Sequence, residues 1–114
     1  MSGYAIAQEL DAELALYAEA VSQLRRSGRA LAKATRDYKR ALALEMARLE
    51  AQGKAKTTMR DLARGDEDVC ELAFRRDLAE AEYKADLEVI NMRKRNVDVL
   101  REQYAREWSA SGVA

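Results

Sequence analysis

The chain has 114 residues, 48% of them hydrophobic and 35% charged, with 20 basic and 20 acidic side chains and a net charge of zero. It is therefore sized for one domain, too apolar for a disordered tail, and not driven onto DNA or membrane by bulk charge. It contains no histidine, no proline and one cysteine, which excludes histidine-based triads, histidine-bound zinc and an intramolecular disulfide.

Alanine, leucine, glutamate, arginine and lysine dominate, and these are strong helix formers. No alternating β pattern and no Asn-Gly hairpin signal occurs. A first helix is predicted over about 5–52, ended by Gly53, a residue that suits a helix C-terminus. A short helix follows over about 57–64, capped by Thr57 or Thr58 and stopped by Gly65. Asp66 then caps a third helix over about 67–108, where Glu67 and Asp68 lie at the positive end of the helix dipole. Residues 109–114 read as a frayed tail. At 1.5 Å per residue each long helix reaches about 60–70 Å, a length that needs a partner.

Both long helices carry an apolar stripe with alternating spacings of three and four. The first reads Leu10, Leu14, Tyr17, Val21, Leu24, Gly28, Leu31, Thr35, Tyr38, Leu42, Glu45 and Leu49. The other reads Val69, Leu72, Arg76, Ala79, Tyr83, Asp86, Ile90, Arg93, Val97, Leu100 and Tyr104. Spacing of this kind is a coiled-coil seam. The expected fold is all-α, one domain over 1–114: a long antiparallel helical hairpin with a short connecting helix, paired into a four-helix bundle.

Matching the two seams sets Tyr17 against Tyr104, Val21 against Leu100, Leu24 against Val97 and Tyr38 against Tyr83. The polar seam residues then pair as Glu45 with Arg76 and Thr35 with Asp86, and Gly28 faces Arg93. On the flanks, Lys33, Arg36 and Arg40 come near Glu80, Glu82, Asp86 and Glu88, and Arg48 near Glu71. The same register brings Arg25, Arg26 and Arg29 level with Arg93, Lys94 and Arg95 as a basic belt. Such a belt could contact phosphates or an acidic partner surface, or be solvated and relieved by acids from a second copy.

Phe74, Leu78, Ala81, Ala85, Met92 and Val99 form a second apolar row, facing away from the first helix in this register. A row down one face points to an interface: homodimerisation, or docking of another protein. The short helix could fold back over Phe74 and Leu78, but it cannot reach Met92 and Val99 as well. Trp108 is expected to anchor the end of the third helix beside Leu10 and Leu14, and Cys70 to be a buried or incidental thiol and not a nucleophile. No catalytic, cofactor or metal set is found. A carboxylate metal site in a bundle needs inward acids from several helices, often with histidine, and no Gly-x-Gly or phosphate-loop pattern occurs.

Between about Leu42 and Trp108 the chain carries Arg48-Leu49-Glu50-Ala51-Gln52-Gly53, Asp61-Leu62-Ala63-Arg64-Gly65-Asp66, Glu71-Leu72-Ala73-Phe74-Arg75-Arg76-Asp77, Ala81-Glu82-Tyr83-Lys84-Ala85, Ile90-Asn91 and Arg106-Glu107-Trp108. In these motifs the segment resembles a group of small helical proteins encoded by temperate phages and prophages of Gram-positive and actinobacterial hosts. The resemblance implies a protein of the phage early region, encoded near recombination and replication genes, and it carries over no catalytic residue. The expected function is a cytoplasmic, non-enzymatic interaction protein without cofactor or membrane attachment. It would be a homodimeric adaptor or regulator that binds a phage or host protein of nucleic-acid metabolism. Two alternatives are an inhibitor of a host defence or nucleic-acid enzyme, and a weak nucleic-acid binder.

Overall fold

The computed structural model describes residues 2–110. Among them the regular elements are three helices: α1 (Gly3–Ala51), α2 (Lys56–Arg64) and α3 (Glu67–Ala110). None of these helices is long and apolar enough to cross a membrane. The ends lie within two residues of the expected 5–52, 57–64 and 67–108, and those at Arg64 and Glu67 coincide with them. Ser109 and Ala110 belong to α3, and the remainder of the expected frayed tail lies outside the described residues.

Local chemistry accounts for each boundary. The Ser2 hydroxyl accepts the Ala5 N–H at 3.2 Å, which starts α1 earlier than its apolar stripe suggests. At the other end Gly53 has φ +80°. Its N–H donates to the Glu50 carbonyl and the Lys54 N–H to the Leu49 carbonyl, the paired closure of a Schellman motif. The expected threonine cap of α2 is not made. Ala55 precedes the helix with extended backbone and no side-chain acceptor, and the Thr58 hydroxyl donates back to the Ala55 carbonyl at 3.2 Å. Both threonines fall inside the first turn, two and three residues past the cap position at Ala55. Asp66 does cap α3: its Oδ2 accepts the N–H groups of Asp68 and Val69 at 3.1 and 3.2 Å.

Contacts divide the chain into two compact units. The middle unit is Arg26–Tyr83, and the terminal unit joins Met1–Arg25 with Lys84–Ala114. The middle unit has its core where the three helices meet. Leu42 and Leu49 of α1, Met59 and Ala63 of α2 and Val69 of α3 are buried together, with Tyr38, Ala41 and Met46 packed against them. Ala63 is fully buried and Val69 is 2% exposed. Each large apolar side chain sequestered this way contributes about 1.5–3 kcal/mol. The nine-residue α2 is too short to persist alone, and it is held by its two buried residues, Met59 and Ala63.

Elsewhere in the middle unit the expected pairings shift. Tyr83 packs on Gly28, not on Tyr38. Tyr38 instead receives the Arg76 guanidinium over its ring at 4.3 Å, a cation–π contact. Glu45 does not reach Arg76; it pairs with Arg48 one turn along its own helix. A Cβ at Gly28 would meet the Tyr83 ring at 3.6 Å, an ordinary contact, whereas glycine inside a helix costs about 0.5–1 kcal/mol relative to alanine. Gly28→Ala is therefore expected to raise the urea midpoint, by a stability gain of about 0.5–1 kcal/mol. A lowered midpoint would show that the ring needs the glycine gap.

In the terminal unit Ile6, Ala20, Ile90 and Val97 are buried. Gln23 donates to Asp86 at 3.3 Å, and Glu13 accepts from Arg93 at 3.1 Å and from Asn96 at 3.2 Å. Rising α1 positions thus meet falling α3 positions, so the two segments run in opposite directions here. Leu14 and Tyr17 share a groove with Lys94, Val97, Asp98 and Arg101, not with Leu100 and Tyr104. Tyr104 and Trp108, stacked at 5.8 Å between ring centroids, lie by Tyr4 and Ala7 and not by Leu10 and Leu14. The expected register is corrected by about three turns, roughly 15 Å along the helix. A stripe with a period of half a heptad matches itself at every such step, so apolar pattern alone leaves several registers nearly equivalent. The polar groups decide among them. Arg93 finds a carboxylate at Glu13, where the other register would set it against a glycine.

Candidate protein-interaction surface

The outer row of α3 is where most of the exposed large apolar side chains of that helix sit. In the middle unit Phe74 is 61% and Leu78 50% exposed, one turn apart on the same face, and Ala81 is exposed beside them. Leu44 of α1 and Leu62 of α2 are also exposed in this unit. In the terminal unit Ala85, Val89, Met92 and Val99 are exposed. The reason is the stripe. All α3 positions from Val69 to Tyr104 assigned to the seam are buried or half-buried, and residues on the far side of that stripe have nothing from their own unit to cover them. α2 covers neither Phe74 nor Leu78, because it spends its apolar face on Leu42, Leu49 and Val69.

The basic belt does not assemble as expected in the terminal unit. Arg93 turns inward, 26% exposed, onto Glu13, whose carboxylate is 12% exposed. Arg25 is two residues from Gln23, which pairs with Asp86, so Arg25 lies about three turns along α1 from the Glu13–Arg93 pair, roughly 15–18 Å. Arg25, Lys94 and Arg95 are exposed. Arg26 and Arg29 are exposed in the middle unit.

The flanking charges pair within their own helices. Arg36 meets Asp37, Arg48 meets Glu45, Arg75 meets Glu71 and Arg76 meets Asp77. The Arg48 hydrogen bonds hold Glu45 below the usual carboxylate range, and Glu45 in turn raises Arg48. Asp77 raises Arg76 in the same way, chiefly by hydrogen bonding. Intrahelical pairs at or near the surface, as these are, add little to stability. They take up Arg36, Glu45, Arg48, Glu71 and Arg76, which the expected register assigned to cross-helix contacts.

Cys70 is exposed, and its thiol donates to the Arg64 carbonyl at 2.8 Å. Among the described residues no three His, Cys, Asp or Glu side chains converge on a metal position.

One cluster was not foreseen. Tyr38, Lys39, Leu42, Ala43 and Met46 of α1, Arg60 and Arg64 of α2 and Arg76 of α3 line a groove of about 390 Å³ in the middle unit. The signal available in sequence was the four-residue spacing of Arg60 and Arg64, which sets both on one face of a short helix. What that face meets depends on how α2 docks, and only the fold shows it. No protein-family model, curated protein or solved structure matches the chain.

Proposed function

We propose that the protein is a phage-type helical interaction protein, an adaptor or regulator of nucleic-acid-processing machinery that acts by protein–protein binding without chemistry of its own. Its α1 and α3 would form an antiparallel coiled-coil hairpin, and two copies would pair through the outer row of α3 into a four-helix bundle. The observation that carries this reading is the exposed pair Phe74 and Leu78, with Met92 and Val99 likewise exposed in the terminal unit. Wet apolar side chains in a row favour association, each contributing about 1.5–3 kcal/mol when buried, before the cost of joining two molecules. The resemblance to phage early-region proteins supports the setting.

Light scattering on the purified protein is expected to give a dimer, and Leu78→Glu with Met92→Glu is expected to return it to monomer with its helical content intact. Both side chains are exposed, so the substitutions spare the core. A double variant that stays dimeric places the interface elsewhere.

A second reading is a stoichiometric inhibitor of a host defence or nucleic-acid enzyme. It is favoured by the exposed acids Glu67, Asp68 and Glu71 at the start of α3, a negative surface suited to a basic enzyme cleft. It predicts a tight one-to-one complex with such an enzyme instead of a self-sufficient dimer.

A further inference from the structure

We infer that the three-helix groove of the middle unit is a second docking site, one that takes an acidic amphipathic segment of a partner protein. The groove is one-signed. Lys39, Arg60, Arg64 and Arg76 line it, and none of its lining residues is acidic. Elsewhere in the same unit the exposed cations Arg36, Arg48 and Arg75 have carboxylates on their own helices. Among the described residues Lys39, Arg60 and Arg64 are in no ion pair, so three neighbouring charges are left for a ligand from outside.

The base of the groove is apolar. Leu42 is buried, Tyr38 and Met46 are half-buried, and all three belong to or pack on the unit's core. Methionine and leucine in such a place accept an aliphatic or aromatic side chain, and methionine adapts to its shape. The volume, about 390 Å³, falls near the low end of small-ligand pockets. It admits a few side chains and not a folded surface. A segment with one or two apolar residues flanked by carboxylates would seat its apolar side chain over Leu42 and Met46. Its acids would meet Lys39, Arg60 and Arg64, with bidentate geometry available at the two arginines.

A nucleic-acid strand fits less well. The Arg76 guanidinium covers one face of the Tyr38 ring at 4.3 Å, which removes that face as a base-stacking platform. A phosphate backbone would engage the cations and leave Leu42 and Met46 wet. Neither Leu78 nor Met92, the positions changed to test the outer row, is among the residues that line the groove. Loss of dimerisation and loss of groove binding can therefore be told apart.

The test is fluorescence anisotropy on the full chain with a labelled peptide of glutamate and leucine at helical spacing. A version with serine for leucine and a single-stranded oligothymidylate serve as comparators. The glutamate–leucine peptide is expected to bind at least about tenfold more tightly than the serine version. Lys39→Glu with Arg60→Glu should weaken it by at least about tenfold, and so should Ala43→Glu, which sets a negative charge at an exposed lining position. Circular dichroism should be unchanged in both variants. The inference is overturned if the glutamate–leucine peptide does not bind, if the serine peptide binds equally, or if the variants bind as the parent does. Tighter binding of the oligothymidylate would make the groove a nucleic-acid site instead. A change of oligomeric state in Ala43→Glu would identify a second copy as the occupant, and both outcomes overturn the inference as stated.

Discussion

Leu49→Ala is expected to lower the unfolding free energy by about 2–5 kcal/mol, the usual cost of emptying a buried leucine site. Leu49 is buried in the last turns of α1, and its neighbours in the core are Met59 and Ala63 of α2 and Val69 of α3. Removing its side chain opens a cavity at the one place where all three helices of the middle unit meet. Total stabilities of small domains run about 5–15 kcal/mol, so the loss is a large fraction of what holds the fold. The effect should also be uneven. α2 has nine residues and two buried side chains, both in this cluster, and a helix that short does not survive undocked. Amide exchange in Lys56–Arg64 should therefore accelerate well before exchange in α1 or α3. Urea unfolding and native-state hydrogen exchange measure the two effects. A loss below about 1 kcal/mol with α2 still protected would mean that the site collapses around the smaller side chain.

The same cluster shows what could be read from residues and what could not. The stripe on α3 was legible throughout, Arg76, Asp86 and Arg93 included, because its positions are half a heptad apart and every one is buried or half-buried. The α1 stripe was legible at Leu10, Tyr17, Leu24, Leu31, Tyr38, Leu42, Glu45 and Leu49. At intervening positions the structure widens it by one residue: Ala20 and Ser27 are buried beside half-buried Val21 and Gly28, and Glu13 is half-buried while Leu14 is exposed. Hydrophobicity favoured Leu14 and Val21, but small side chains let two helices approach, and Glu13 answers a charge on the other helix. The boundary signals at Gly53 and Asp66 were equally plain, since each satisfies backbone groups within a few residues of itself.

Register was not legible. It rests on long-range polar partners, and the apolar pattern repeats too regularly to choose among them. The outer row could be named because exposure follows from the stripe, whereas the basic belt depended on register, and in the terminal unit Arg93 went to Glu13 instead. The groove was out of reach for a similar reason. Its cations come from three helices, and the docking of α2 that gathers them is a tertiary choice on which local propensity is silent.

Glu13 and Arg93 provide the direct test of that account. The pair is largely shielded, with the carboxylate 12% and the guanidinium 26% exposed, and Asn96 donates to the same Glu13 oxygen. Glu13→Ala is expected to cost about 1–3 kcal/mol, because it leaves the Arg93 guanidinium and the Asn96 amide without their acceptor in a shielded place. Arg93→Met should cost less, since the released carboxylate keeps its bond to Asn96 and the methionine fills the seam. Glu13→Leu with Arg93→Met should restore stability to the parent level or above it, as apolar replacements of shielded ion pairs commonly do. What the double variant should lose is a single register. Without the charge pair the apolar stripes fit equally well about three turns apart, and Tyr17 can leave the level of Lys94, with Val97 beside it, for that of Tyr104. Urea unfolding of the four proteins of the cycle gives the coupling, and nuclear Overhauser contacts from the Tyr17 ring report the register. In the parent these contacts should reach Val97, which lines the same groove. In the double variant they should divide between Val97 and Tyr104. A double variant as stable as the parent whose Tyr17 contacts remain with Val97 alone would show that packing at Ala20, Ile90 and Val97 selects the register, and that the ion pair follows from it.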